Sequence, residues 1–151
     1  MSAHNPYAPP KAIVDAGSVA DIDGLPVSDT WKRRFKAMRK AGGPSLPHFK
    51  TLTSDERKAL SPFNALAFVF GPFYYVLKGM WRKGLTLFLL CCIGFLILET
   101  VMGIVGLASF TRFLGFAAAA VYASLANRDY YAKMVLEQNG WWWEKQGAEA
   151  S

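Results

Sequence analysis

The chain is poor in the residues that carry most protein chemistry. It has two histidines, His4 and His48, and two cysteines, Cys91 and Cys92. The cysteines are neighbours, a spacing at which a disulfide is strained. Metal sites draw their ligands from wider spacings. Cys91 and Cys92 therefore read as small apolar packing residues, and neither a metal nor a cofactor is expected. No glycine-rich phosphate loop, zinc-binding helix or nucleophile elbow occurs. No catalytic residue is nominated, and the chain reads as a non-enzyme. It also lacks the internal repeat that builds many transporter cores. The opening stretch, MSAHNPYAPPKAIVDAG, has neither the basic cluster nor the apolar core of a signal peptide. Insertion is expected to rely on internal segments.

Charge is scarce in one long region. From Gly84 to Asn127 the only formally charged residues are Glu99 and Arg112. A crossing helix needs about 20 mostly apolar residues, and this stretch has room for two. The expected crossings are roughly 84–106 and 109–126, joined by a tight turn near Leu107-Ala108-Ser109. An acid in a membrane helix is costly and marks a functional candidate. Glu99 lies toward the outer end of its helix and Arg112 near the same end of the returning one. The two residues are the intramembrane polar candidates, as a functional acid or as a structural pair. Ala117 to Ala120, with Gly115, Ala123 and Ser124, offer a smooth surface for close helix approach. That surface is expected to serve the hairpin's own packing, with a dimer contact as the alternative.

What the chain does have is positive charge, aromatic rings and apolar bulk. Its net charge is +6, with 52% apolar and 15% aromatic residues. Most cations precede the first apolar segment, which suits anionic lipid headgroups better than nucleic acid. Residues 1–27 read as a flexible cytoplasmic tail. Asn5 to Pro10 favours an extended backbone suited to docking. Residues 28–60 read as basic amphipathic cytoplasmic helices. Ser28 or Asp29 can cap the first. Trp31, Phe35 and Met38 share one of its faces, surrounded by Lys32, Arg33, Arg34, Lys36, Arg39 and Lys40. An aromatic stripe in a basic surround suits a helix lying in the headgroup region, so all nine residues are membrane-surface candidates. Packing of the stripe on the protein's own body is the competing arrangement. Ala41-Gly42-Gly43-Pro44 ends this helix. Thr53 and Glu56 have the spacing of a capping box for the next, which Ser61-Pro62 stops.

Residues 61–127 form the expected membrane domain. Within it, 63–81 is apolar and aromatic but carries Gly71-Pro72 at its middle. Proline removes a backbone hydrogen bond and clashes with the preceding turn, so the helix breaks or kinks there. The charges decide between crossing and returning. If 63–81 does not cross, 16 of the 17 cations share one side with both termini, and Arg112 alone lies opposite. If it crosses, the split is 11 to 6. Cations concentrate on cytoplasmic loops, so the first arrangement is adopted. Residues 128–151 continue as a cytoplasmic helix, turn at Asn139-Gly140, and reach Trp141-Trp142-Trp143, an interfacial aromatic cluster. The expected fold is an all-α membrane protein: a two-helix transmembrane hairpin, a Gly-Pro-broken re-entrant or interfacial helix, and a basic amphipathic N-terminal helix.

SDTWKRRFKAMRKAGG, LPHFKTL, FNALAFVFGPFYYVLKGMWRKGLTLF and ANRDYYAKMVLEQNGWWW resemble small bacterial inner-membrane proteins of the domain-of-unknown-function 2628 family. The resemblance covers Val27 to Trp143, and Phe70 to Gly84 is its most specific part. It implies a bacterial inner-membrane location and brings no reaction, cofactor or catalytic residue. Function is therefore expected to rest on interaction, as an accessory or scaffold for another membrane component. Anionic lipids and a membrane-protein partner or second copy are the expected partners, and nucleic acid is not. The alternative is an oligomeric pathway for a small solute or ion. The charge count predicts topology: reporters fused after Trp81 and after Ser151 should both read cytoplasmic, and one inserted near Ser109 periplasmic. A periplasmic reading after Trp81 would show that 63–81 crosses.

Overall fold

The structure, a computed structural model, describes residues 21–143. The expected docking segment Asn5 to Pro10 lies outside the described residues. Those that are described form helices α1 (Asp29–Lys40), α2 (Ser54–Leu60), α3 (Ala65–Phe70), α4 (Pro72–Leu77), α5 (Trp81–Ile104) and α6 (Leu114–Val135). Short 3-10 turns lie at Phe49–Thr51 and Ala108–Phe113.

Helices α5 and α6 make the hairpin. At 24 residues, α5 is about 36 Å long, against a hydrocarbon core of about 30 Å. Both helices are long and apolar enough to cross a membrane. Most of their apolar side chains stay uncovered, unlike those of a core helix in a soluble domain. Between Leu87 and Tyr122, no described side chain is buried. The bounds differ from expectation at both ends. Helix α5 starts at Trp81 and α6 at Leu114, because the 3-10 turn takes up the first part of the returning chain. Helix α6 runs unbroken to Val135, so Arg128 to Val135 belong to the same rod as the second crossing.

The segment 63–81 is broken, not kinked. Its first helix opens at the N-cap Asn64, whose side chain accepts from the Ala67 amide. Helix α3 ends at Gly71, which sits at φ 49° and ψ −122°, a conformation that favours glycine. Pro72 then opens α4, where its missing N–H is no loss. Each half has six residues, about 9 Å of helix, far short of a crossing. Helix α3 packs on α6 and α4 on α5. The two halves therefore straddle the base of the hairpin. Ala67, Tyr74 and Tyr75 face inward, while Val69, Phe73 and Leu77 are 71%, 72% and 81% exposed.

Helix α1 caps this base. Thr53 and Glu56 form the expected capping box at the start of α2, and α1 lies against α2. The aromatic stripe departs from the headgroup placement. Phe35 is 0% exposed and Met38 is buried beside it. The Phe35 ring meets Tyr130 at 5.7 Å and Tyr131 at 5.7 Å, and Trp31 meets Tyr130 at 4.7 Å. The stripe is spent on α6, because α6 continues far enough past the apolar run to offer it a tyrosine face. Burying one such ring contributes about 1.5–3 kcal/mol. The expected tail also ends sooner than 27: Ile22 is buried, and Leu25 and Val27 pack on the same core.

One close approach fixes α4 against α5. A Cβ on Gly84 would lie 2.7 Å from Cβ of Tyr75, an overlap that neither backbone can easily relieve. Gly84→Ala should destabilise the protein by about 1–3 kcal/mol, read as a lowered midpoint of thermal unfolding in detergent. Gly94→Ala, whose added methyl meets nothing within 4 Å, should leave the midpoint unchanged or raise it.

Candidate functional site

The described residues gather their buried polar side chains at one place, the base of the hairpin. Asp129 lies at its centre. Tyr122, Ala126 and Asp129 follow one another at helical spacing on the face of α6 that meets α4 and α5. Lys83 comes from the first turn of α5. The two side chains are each 2% exposed, and Lys83 Nζ stands 3.7 Å from Asp129 Oδ1. The Tyr75 hydroxyl of α4 donates to Asp129 Oδ2 at 2.8 Å. The Trp143 indole N–H donates to Oδ1 at 2.7 Å. Burial first, and then the neighbouring Asp129 carboxylate, push the Tyr75 phenol well above its ordinary value. The phenol therefore keeps its proton and stays the donor. A buried carboxylate is tolerable only when its lone pairs are engaged, and here both oxygens are.

A second network lies beside the first. Asn64 Nδ2 donates to the Tyr74 hydroxyl at 3.0 Å and to Asn127 Oδ1 at 2.8 Å. Asn127 Nδ2 donates to the Ser61 carbonyl at 2.7 Å. Arg34 reaches in from α1, with Nη1 3.3 Å from Asn127 Oδ1 and Nε 3.1 Å from the Ala59 carbonyl. The Asn64 amide donates to the Ala123 carbonyl of α6 at 3.0 Å. Other bonds complete the seam: the Tyr122 hydroxyl to the Gly84 carbonyl at 3.0 Å, Lys133 to the Lys78 carbonyl at 2.6 Å, and Thr86 to the Trp141 carbonyl at 3.1 Å. Lys78 lies over the rings of Trp31 and Tyr130 at 5.4 and 4.6 Å. Side-chain and backbone hydrogen bonds thus tie the six helices together.

The membrane-surface candidates have divided roles. Arg34 turns inward, as do Trp31, Phe35 and Met38. Lys32 donates to the Asp23 carbonyl at 2.8 Å. Lys36 pairs with Asp23 at 2.7 Å and Lys40 with Glu56 at 2.6 Å. The hydrogen bond from Lys40 and the Thr53 amide hold Glu56 below its ordinary value. Arg33 and Arg39 are exposed, and among the described residues neither makes a hydrogen bond or ion pair. Gly71 and Pro72 lie where α3 ends and α4 begins.

Glu99 and Arg112 are both exposed and form no ion pair with each other. Arg112 donates instead to the Ser109 carbonyl at 2.8 Å. The small-residue surface of α6 is not used as expected either. Ala123 is buried, yet Ala117 and Ala120 are exposed, and a Cβ on Gly115 would meet nothing within 4 Å. The hairpin's legs meet at their base, and nothing among the described residues fills the upper part of that surface. Trp141, Trp142 and Trp143 are exposed, with Trp141 edge-on to Trp81 at 5.3 Å and Trp143 holding Asp129. Cys91 and Cys92 are unbridged. Among the described residues, no cluster of three His, Cys, Asp or Glu side chains occurs.

A family model described as "Protein of unknown function (DUF2628)" matches residues 20–135. The chain belongs to this family. The DUF2628 match spans every helix among the described residues and the polar side chains at the base, leaving Trp141 and Trp143 beyond it. No curated protein and no solved structure matches the chain.

Sequence reasoning missed Lys83 and Asp129 as a pair. A signal was available: they bracket the apolar run from either side, Lys83 as the last cation before Gly84 and Asp129 as the first acid after Asn127. The pair yields a prediction. Asp129→Asn removes the charge and leaves Lys83 buried without a counterion, which should cost about 3–5 kcal/mol. Lys83→Met in the same chain should restore much of that loss. Thermal unfolding of the wild type, both single variants and the double variant measures the coupling, and additive effects would show that the two groups do not act together.

Proposed function

We propose that this DUF2628 protein is a non-enzymatic component of the bacterial inner membrane that acts by interaction, as an accessory or scaffold for another membrane component. One observation carries the reading most directly. The base of the hairpin is locked by two polar networks, while its upper half has no buried side chain between Leu87 and Tyr122. Glycines at 94, 103 and 115 there meet no neighbour. Small residues without an intramolecular contact are what a further helix needs for close approach. The polar groups at the base are engaged with one another, which suits support rather than turnover.

In this reading both termini are cytoplasmic, and the straddling segment α3–α4 lies at the inner interface. Its outward residues Leu66, Val69, Phe70, Phe73, Val76 and Leu77 are apolar and exposed, as a surface resting in lipid would be. Arg33 and Arg39 on α1, with the partly engaged Lys32, Lys36 and Lys40, face anionic headgroups. Each such cation contributes on the order of 1 kcal/mol. Nucleic acid is not a partner in this reading.

Exposed Glu99, without an ion-pair partner among the described residues, favours a second reading: an oligomer whose hairpins line a pathway for a small solute or ion. Purification in mild detergent separates the two. Recovery of a stoichiometric membrane-protein partner is the expected result, and recovery of the chain alone under several conditions would count against a scaffold. A monomeric mass in native membranes would exclude the pathway, because one hairpin encloses nothing.

A further inference from the structure

A pocket of about 270 Å³ opens beside the second polar network. It is walled by Met38, Leu46 and Leu60 from the cap, by Pro62 from the segment leading into α3, and by Leu125 and Arg128 from α6; Arg57 and Phe49 also line it, with Ser61, Ser124 and Asn127 as neutral polar neighbours. The lining is chemically two-sided. Leu60, Pro62 and Leu125 give it an apolar wall, and one turn further along α6 lies Val121, apolar and exposed. Phe63, beside Pro62, is also exposed. The apolar wall is therefore continuous with the uncovered band of the hairpin.

The other side is cationic. Arg57 is held in place: Nε donates to the Leu52 carbonyl at 3.0 Å and Nη2 to the Lys50 carbonyl at 2.8 Å. Its guanidinium stands 5.5 Å from the Phe49 ring. Nη1 makes no bond within the described residues and remains available. Arg128 is exposed and makes no hydrogen bond or ion pair among them. No carboxylate lines the pocket. An arginine fixed by carbonyls with one donor spare, and a second arginine free, suit an anionic oxygen group.

We propose that this pocket binds one anionic phospholipid, with its phosphate between Arg57 and Arg128 and the start of an acyl chain along Leu60, Pro62 and Leu125. A free phosphate would satisfy the arginines but leave the apolar wall wet. A zwitterionic lipid would bring its own cation to a site without a carboxylate. The inference rests on the interfacial placement proposed above, but not on a protein partner, so a chain that purifies alone can still bind the lipid.

Delipidated full-length protein in detergent is titrated with phosphatidylglycerol, with phosphatidylcholine of the same acyl chains, and with inorganic phosphate. Native mass spectrometry counts the bound molecules. One phosphatidylglycerol should be retained preferentially. Arg128→Gln should weaken it about five-fold, the loss of one cation's worth of attraction. Leu125→Gln should weaken it without abolishing the preference for the anionic headgroup. Lys58→Gln, at a side chain 81% exposed and outside the pocket, should change nothing. Equal retention of both lipids, an unchanged Arg128→Gln variant that melts like wild type, or full displacement by inorganic phosphate would each overturn the assignment. If Arg128→Gln unfolds, Arg128→Lys decides instead: retained charge should preserve the anionic preference, and its loss would overturn the proposal.

Discussion

The buried carboxylate of Asp129 is the constraint around which the base of the molecule is arranged. A charge with almost no solvent contact is very costly unless its lone pairs are filled. Filling them requires a cation from α5, a phenol from α4 and an indole from the chain after α6. Those three donors cannot reach one point unless the broken segment crosses beneath the hairpin and the chain beyond α6 folds back. The neighbouring Asn64–Asn127 contact adds α3, and Arg34 adds α1. Tertiary order here is imposed by satisfying polar groups at a shared point. The apolar surfaces alone would be equally content in lipid.

This explains the uneven character of the two ends. Between helices surrounded by hydrocarbon, burial of apolar surface supplies no net drive, and cohesion comes from packing and hydrogen bonds. The chain invests such bonds at the base. Toward the turn at Ala108–Phe113 it has only aliphatic and aromatic side chains, small residues and two separated charges, and correspondingly little is buried there. The glycines that demand tight contact, Gly84 above all, lie at the base, while those at 94, 103 and 115 face open space.

Much of the architecture was legible from local signals. Apolar length gave the hairpin, Gly71-Pro72 the break, Thr53 with Glu56 the cap of α2, and the Gly-rich stretch after Lys40 the end of α1. Each depends on residues near one another in sequence. Apart from shifted helix ends, the failures involve partners far apart. The face of Trp31, Phe35 and Met38 is equally suited to headgroups or to a tyrosine face some ninety-five residues away in sequence, and amphipathicity cannot tell the two apart. Lys83 and Asp129 looked like ordinary flanking charges, because single-sequence spacing does not say which flanks converge. The small-residue run on α6 showed that close approach is possible, without showing by what. The pocket, built from four separate stretches, had no local signature at all.

The indole of Trp143 gives the fold a dependence on the order in which it is made. The carboxylate it serves precedes it in the chain, as do Tyr75 and Lys83, so Trp143 is the last of the three donors to be made. Until then Asp129 has one oxygen short of a hydrogen bond, in a setting where water is largely excluded. The closing step belongs to the latest-made residue of the described chain. A product cut short ahead of it would retain both long helices, yet would leave one oxygen of the buried carboxylate without its hydrogen bond.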